Sequence, residues 1–279
     1  MGYRTAQQWR RRGFPVSAVV RSVASADRLR EAGIHTRAAD LDDPDTLGPV
    51  RADDAIVYYF APPPPHGSGD PRLGGVLERI QGQHLRQLIY ISTSGVYGNC
   101  RGAWVTEDTP ANPATDRGRR RWAAERQLQH WSRENTVPTH ILRVPGIYGP
   151  KRLPLDRIRQ GQPVVDEKES PFTNRIHVDD LVQVCVVCAE RCPDSAVFNV
   201  SDGHPTTMTD YFYRVADAFG LARPPVVSLE EARERMSPAV YSFWQESRRL
   251  DNQKMLEVLG VTLKYPTLEE GLADCVAKQ

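Results

Sequence analysis

The sequence has no long apolar run. Although 40% of its 279 residues are hydrophobic, no stretch reaches the roughly 18 apolar residues that a membrane-spanning helix requires. Its start, Met1-Gly2-Tyr3-Arg4, has no signal-peptide core, and Ala6 stands where a myristoylation pattern needs Ser or Thr. An excess of either charge is also missing. Thirty-six basic residues face 35 acidic ones, a net charge of +1, so no global field draws the chain to nucleic acid or a membrane. The cytoplasm is therefore the expected location. Cysteine is sparse, at five. Cys185, Cys188 and Cys192 fall on one face of a helical pattern, and a thiolate metal site is the sharp alternative. With no fourth ligand in view, the spacing favours burial as small apolar side chains. There is no internal repeat, and the four prolines Pro62–Pro65 are the only low-complexity stretch.

Short β-type runs alternate with helical patterns through the first 150 residues. Strands are expected at 15–20, 34–39, 55–60 and 88–91. Helices are expected at 3–12, 26–32, 44–50 and 73–84. This alternation implies βαβ units, an α/β fold and a mostly parallel sheet. The strand ends at Arg21, Asp40, Phe60 and Ser92 then share one edge of one sheet, where ligands bind in such folds. Downstream, residues 99–116 read as a polar loop and 117–133 as a long helix. Strands follow at 139–143, 175–178 and 196–200, with Asp179-Asp180 capping a helix that runs to Glu190. Further helices are expected at 155–160, 207–219, 229–236, 252–259 and 268–277. Most informative is Ile89-Tyr90-Ile91-Ser92-Thr93-Ser94-Gly95-Val96-Tyr97. There an apolar strand ends in three hydroxyl residues and a glycine.

Three motifs occur in order: Ser92-Thr93-Ser94-Gly95-Val96-Tyr97-Gly98, Arg143-Val144-Pro145-Gly146-Ile147-Tyr148-Gly149-Pro150, and Asn174-Arg175-Ile176-His177-Val178-Asp179-Asp180-Leu181. Over nearly the whole chain this resembles the extended, atypical short-chain dehydrogenase/reductase superfamily, in its NAD(P)-dependent epimerase/dehydratase branch. The resemblance implies a Rossmann-like dinucleotide-binding domain over 1–150. It also implies a 151–279 segment holding a small substrate lobe, with the 174–200 portion returning to the sheet. A Ser/Thr, a Tyr and a Lys in a Tyr-x-x-x-Lys pair are implied as the active site, the Tyr being the acid/base.

Carried over by position, Thr93 is the catalytic hydroxyl residue, and Ala123-Ala124-Glu125 matches the tail of the Tyr-x-x-x-Lys helix. Arg121 then holds the Lys position and Arg117 the Tyr position. Arg121 suits ribose or phosphate binding, but an arginine stays protonated and is a poor general base. Tyr97 and Tyr148 are the nearest alternative hydroxyls, and the bland account of each is an aromatic wall beside the cofactor or substrate. A second departure lies at the start, where Gly2 matches the last glycine of the family's Gly-rich turn. The first strand and two glycines are not in this sequence. An upstream start is the preferred explanation, against a natural remnant or another segment filling the slot.

The resemblance places Gly2, Tyr3, Arg21, Ser22, Asp40, Leu41, Phe60, Ala61, Pro62, Ser92, Pro145, Gly146, Ile147 and Tyr148 around the cofactor. Arg21, where NAD-specific sites carry an acid, points to the 2′-phosphate of NADP rather than to NAD. Ser94, Tyr97, Arg152, Asn174 and Arg175 are the substrate candidates, with Lys151 nearby. His177 reads as structural. Arg248-Arg249 are a further candidate pair, with solvated helix charges the favoured account. The expected function is a reductase or epimerase/dehydratase acting at a hydroxyl or carbonyl of a small molecule, such as a nucleotide sugar. The alternative is a catalytically inactive NADP(H)-binding sensor. Nucleic-acid binding through the basic run 117–121 is disfavoured by flanking acids and neutral overall charge. Family members dimerise through helices corresponding to 73–84 and 117–133, so a homodimer is a further expectation.

Overall fold

A computed structural model describes residues 1–279. The chain forms two compact units: Met1–Ser92 with Arg119–Leu142 and Val182–Val197, and Thr93–Gly118 with Arg143–Leu181 and Phe198–Gln279. The fold is α/β with a Rossmann-like sheet.

In the first unit the main sheet runs in the order Ala196–Asn199, Thr139–Val144, Gln87–Thr93, Ile56–Tyr59. Ile56–Tyr59 pairs in parallel with Gln87–Thr93, Tyr59 opposite Tyr90. Leu88, Ile89 and Tyr90 are fully buried, as a strand covered on both faces demands. Leu73, Leu77, Ala124, Leu128 and Trp131, from the helices Pro71–Arg79 and Asp116–Asn135, pack with Leu88, Tyr90 and Ile141. Trp9 of the helix Gly2–Arg11 donates through Nε1 to the Tyr58 hydroxyl at 2.9 Å, and Tyr58 donates to the Cys185 carbonyl at 3.1 Å. Cys185, Cys188 and Cys192 are free and buried. Desolvation pushes the Cys185 thiol up to about 12, which keeps it neutral and packed.

One expectation is corrected here. The four early strand ends do not share one sheet. Ser17–Val20 and His35–Ala38 pair in parallel only with each other, Ser17 opposite His35, as a separate ribbon. No strand among the described residues bridges Ser17–Val20 and Ile56–Tyr59, so their backbone edges have no common partner to join them. Arg21 and Asp40 therefore end the ribbon, while Phe60 and Ser92 end the four-stranded sheet.

Local chemistry shifts other boundaries. The helix expected from Ala26 begins at Val23, because the Ser22 hydroxyl caps it by accepting from Ser25 N–H. The helix expected over 73–84 is Pro71–Arg79, started by the Asp70 cap and Pro71. Asp179 and Asp180 lie inside the first turn of the helix Val178–Arg191 rather than before it. The Asp180 carboxylate accepts instead from the backbone N–H groups of Lys264 and Tyr265, at 2.7 and 3.0 Å.

The second unit has its own core, built from Tyr148, Ile158, Val164, Val165, Tyr211, Phe212, Val215, Trp244, Leu268 and Leu272. Gly146–Tyr148 pairs in parallel with Arg175–His177. The helix Leu268–Ala277 is closed by a capping box between Thr267 and Glu270, and it crosses Tyr148 at Gly271. A Cβ on Gly271 would stand 2.0 Å from the Tyr148 oxygen. The segment 99–116 is not all loop, since Trp104–Val105 pairs in parallel with Arg249–Leu250. That pairing also corrects the helical reading of Arg248-Arg249. No helix is long and apolar enough to cross a membrane.

Candidate functional site

In the first unit the strand Gln87–Thr93 delivers its polar end against the helix Asp116–Asn135. Ser92 is buried, and its hydroxyl donates to the fully buried carboxylate of Glu125. Arg121 donates through Nη1 to the Tyr90 hydroxyl at 3.0 Å and to the Ile91 carbonyl at 2.8 Å. Burial pushes the Tyr90 hydroxyl up to about 12, against the pull of Arg121. The strand end is thus clamped from one helix by a carboxylate and a guanidinium one turn apart.

The other cofactor candidates of this unit have diverse settings. Arg21 is exposed at the tip of the ribbon. Ser22 is spent as the helix cap described above. The Asp40 carboxylate accepts from Asp42 N–H at 3.0 Å. Asp42 pairs with Arg72, whose Nη1 also donates to the Pro62 carbonyl at 3.0 Å. Leu41 and Ala61 pack on the apolar core. The Phe60 ring stacks on Tyr58 at 5.8 Å, and a Cβ on Gly2 would meet it at 3.4 Å. The exposed Tyr3 accepts from Gln7.

In the second unit Thr93 opens a short 3-10 turn, Ser94–Tyr97, by accepting from Gly95 N–H at 3.2 Å. Ser94 is buried. Tyr97 lies in a closed polar network. Its hydroxyl donates to Asn199 Oδ1 at 2.7 Å and accepts from Arg143 Nη1 at 2.9 Å. Asn199 N–H donates to Glu107 Oε1 at 2.6 Å. Burial pushes the Tyr97 hydroxyl up to about 12. Tyr148 is 1% exposed and burial raises its pKa further still. Neither tyrosine presents an open hydroxyl in its own unit.

Gly146 N–H donates to the Asn174 carbonyl at 3.2 Å, and the half-buried Ile147 lies beside Ile176 in the register. Pro145 joins this strand to Val144. A Cβ on Gly146 would stand 2.6 Å from Arg175 Nη1, so glycine there admits the guanidinium. Arg175 is buried. It donates to Thr173 Oγ1 at 2.6 Å and to the Asn174 carbonyl at 2.8 Å, and its guanidinium lies 4.0 Å from the Tyr211 ring centre. Asn174 ties down the 248–250 segment, donating to the Arg248 carbonyl and accepting from Leu250 N–H. Arg152 is exposed. His177 is fully buried; its Nδ1 accepts from Asp179 N–H at 3.2 Å, and its Nε2 faces Asp274 at 3.7 Å.

Across Gly95 from Thr93 stands Arg248, one of the Arg248-Arg249 candidate pair. Arg248 donates through Nη1 to the Gly98 carbonyl at 2.7 Å and to Glu246 at 3.0 Å. Arg117 donates to the Ser242 hydroxyl at 3.1 Å and stacks on the Phe243 ring at 3.7 Å. The available signal was the Glu-x-Arg spacing in an extended segment, which puts both side chains on one face.

The model of the NAD dependent epimerase/dehydratase family matches residues 75–201. A curated relative from Arabidopsis thaliana, named "Putative UDP-arabinose 4-epimerase 4", is 33% identical over 75 residues. That stretch is 27% of this chain and spans only 17% of the relative's length. Among solved structures, a functionally unknown conserved protein from Silicibacter pomeroyi is 31% identical, with 99% of this chain and 94% of that one covered and a TM-score of 0.85. A UDP-glucose 4-epimerase from Thermus thermophilus, in complex with NAD, shares the fold at 19% identity and a TM-score of 0.77, with the same coverages.

Proposed function

Because this chain belongs to the NAD-dependent epimerase/dehydratase family of the extended short-chain dehydrogenases/reductases, we propose that it is a nicotinamide-dependent enzyme. It acts at a hydroxyl-bearing or carbonyl carbon of a small molecule, with a nucleotide sugar as the substrate class and NADP as the cofactor. The observation that carries this reading is the state of Thr93. Its oxygen already accepts from Gly95 N–H, so its own proton is free to turn toward a substrate oxygen at the polar end of a buried strand. The NAD complex of the Thermus relative supports the cofactor class, and the plant relative's name supports a nucleotide sugar.

At the adenosine end of a dinucleotide, the exposed Arg21 would offer a guanidinium to a 2′-phosphate. Gly2 and Tyr3 begin the helix Gly2–Arg11, whose first turn carries no acid and whose N–H groups suit a pyrophosphate. When bound, the nicotinamide would take or supply a hydride. Thr93 would orient the reacting oxygen. Arg121, already clamped to the end of the strand, would offer its remaining donors to ribose or phosphate. The proton does not come from a Tyr-x-x-x-Lys tyrosine, since Arg117 occupies that position and stays protonated.

Fluorescence titration with NADPH and NADH, followed by turnover of a carbonyl panel, tests this. Tighter NADPH binding with turnover is the expected result. Binding without turnover of any substrate would instead establish the catalytically inactive NADP(H) sensor.

A further inference from the structure

We propose that Arg117 and Arg248, the latter held by Glu246, form beside Thr93 a recognition site for an oxyanion on the substrate, a carboxylate or a phosphate. This rests on the reading of Thr93 as the residue that meets the substrate oxygen.

Position is the first argument. A Cβ on Gly95 would stand 3.5 Å from Thr93 Oγ1 and 3.9 Å from Arg248 Nη2. An added Cβ would thus be in ordinary van der Waals contact with both, so the hydroxyl and the guanidinium edge flank the same buried glycine.

Charge is the second. Glu246 answers one positive charge, through its 3.0 Å contact with Arg248. The partners of Arg117 are a hydroxyl and an aromatic ring, both uncharged. Two guanidiniums and one carboxylate leave a net positive charge in a half-buried place. Burial works against the Arg117 cation, the carboxylate of Glu246 favours it, and Arg248 opposes it. A second anion would relieve both the desolvation and the repulsion between the two arginines.

Incomplete bonding is the third. The Glu246 side chain is 4% exposed, yet its Oε1 has no hydrogen-bond partner, and neither has the buried Nε of Arg248. A purely structural ion pair this deep would satisfy those atoms, because an unpartnered buried polar atom costs about 1–3 kcal/mol. Here an acceptor and a donor are both buried without a partner. A hydroxylated molecule with an oxyanion supplies the complement: hydroxyl hydrogens for Glu246, and anion oxygens for the guanidiniums once side chains adjust. Glu246 would repel an oxyanion placed against it, so the site favours the side of Arg248 that faces Gly95.

Calorimetric titration of the full chain with paired probes tests the assignment. UDP-glucuronate is compared with UDP-glucose, and free glucuronate and glucose 6-phosphate with glucose. At least tenfold tighter binding is expected of the probe that carries the extra carboxylate or phosphate than of its partner without it. In Arg117→Gln that ratio should fall to within about twofold of unity. Preference for glucuronate identifies a carboxylate, and preference for glucose 6-phosphate a phosphate. Arg248→Gln is a second variant. Because Arg248 also holds the Gly98 carbonyl, Arg117→Gln decides if Arg248→Gln fails to fold. Equal affinities within every pair, no binding of any probe that carries the extra group, or a preference that survives Arg117→Gln overturns the site. Failure of UDP-glucose to bind while glucuronate or glucose 6-phosphate still outcompetes glucose would sink the nucleotide-sugar reading alone.

Discussion

The Arg143 guanidinium donates to the Tyr97 hydroxyl at 2.9 Å, and that hydroxyl in turn donates to Asn199 Oδ1 at 2.7 Å. A tyrosine in the Ser92–Gly98 motif thus serves as a buried cross-brace. Tyr97→Phe leaves the Arg143 donor and the Asn199 acceptor facing a ring edge. Such a loss costs about 1–3 kcal/mol. Urea unfolding followed by circular dichroism should show stability lowered by that amount, and an unchanged midpoint would contradict the brace.

Asp202 gives the fold a pH dependence of calculable sign. Burial raises its carboxyl from 3.8 to about 7, and Oδ2 has no partner. The folded state therefore holds a proton that the unfolded state has released between those values. Stability contributed by this group is highest below 3.8 and falls as pH rises through 7, by about 1.4 kcal/mol for each pH unit between the two values. In Asp202→Asn the Oδ1 acceptor for His204 N–H is kept and the titration is removed. Measured as variant minus wild type, the melting temperature should favour the variant at pH 8, with the difference closing by pH 4. A constant difference across that range would rule the titration out.

Gly271 is a packing requirement rather than a turn. Alanine is normally the better helix former by roughly 1 kcal/mol. At 271, however, the added Cβ would meet the Tyr148 oxygen at 2.0 Å and its ring carbons at 2.5 and 2.6 Å. Overpacking of this kind costs about 1–3 kcal/mol, so the clash should win. Gly271→Ala is expected to lower the unfolding free energy, and a stabilised variant would show that the helix Leu268–Ala277 moves freely off the strand.

Arg21 tests cofactor choice. It is exposed at the tip of the ribbon, so Arg21→Asp should fold normally. Reversing its charge should weaken NADPH binding by about tenfold or more and leave NADH within about threefold, read by fluorescence titration. Equal losses for the two cofactors would remove the specificity argument.

The α/β alternation was legible from the chain because apolar runs such as Ala55–Phe60 and Leu88–Ile91 are bounded by polar turns and capped helices. The same local logic placed Thr93 at the end of a strand and Arg117 and Arg121 one turn apart on a helix. The absence of a strand to join the early ones came only from the family resemblance. Whether Ser17–Val20 joins the main sheet depends on hydrogen bonds to a neighbour, and no residue's own propensity contains that information.

What the sequence determined by itself was the order of elements and the chemistry along each, since periodicity and capping are read within a few residues. Tertiary structure decided what each polar group faces. It closed Tyr97 into a network with Arg143 and Asn199, turned Ser92 onto Glu125, and brought Arg248, far downstream in the chain, beside Thr93. Partners so far apart in the chain are selected by which side chains share a desolvated space, and only packing the whole chain defines that space.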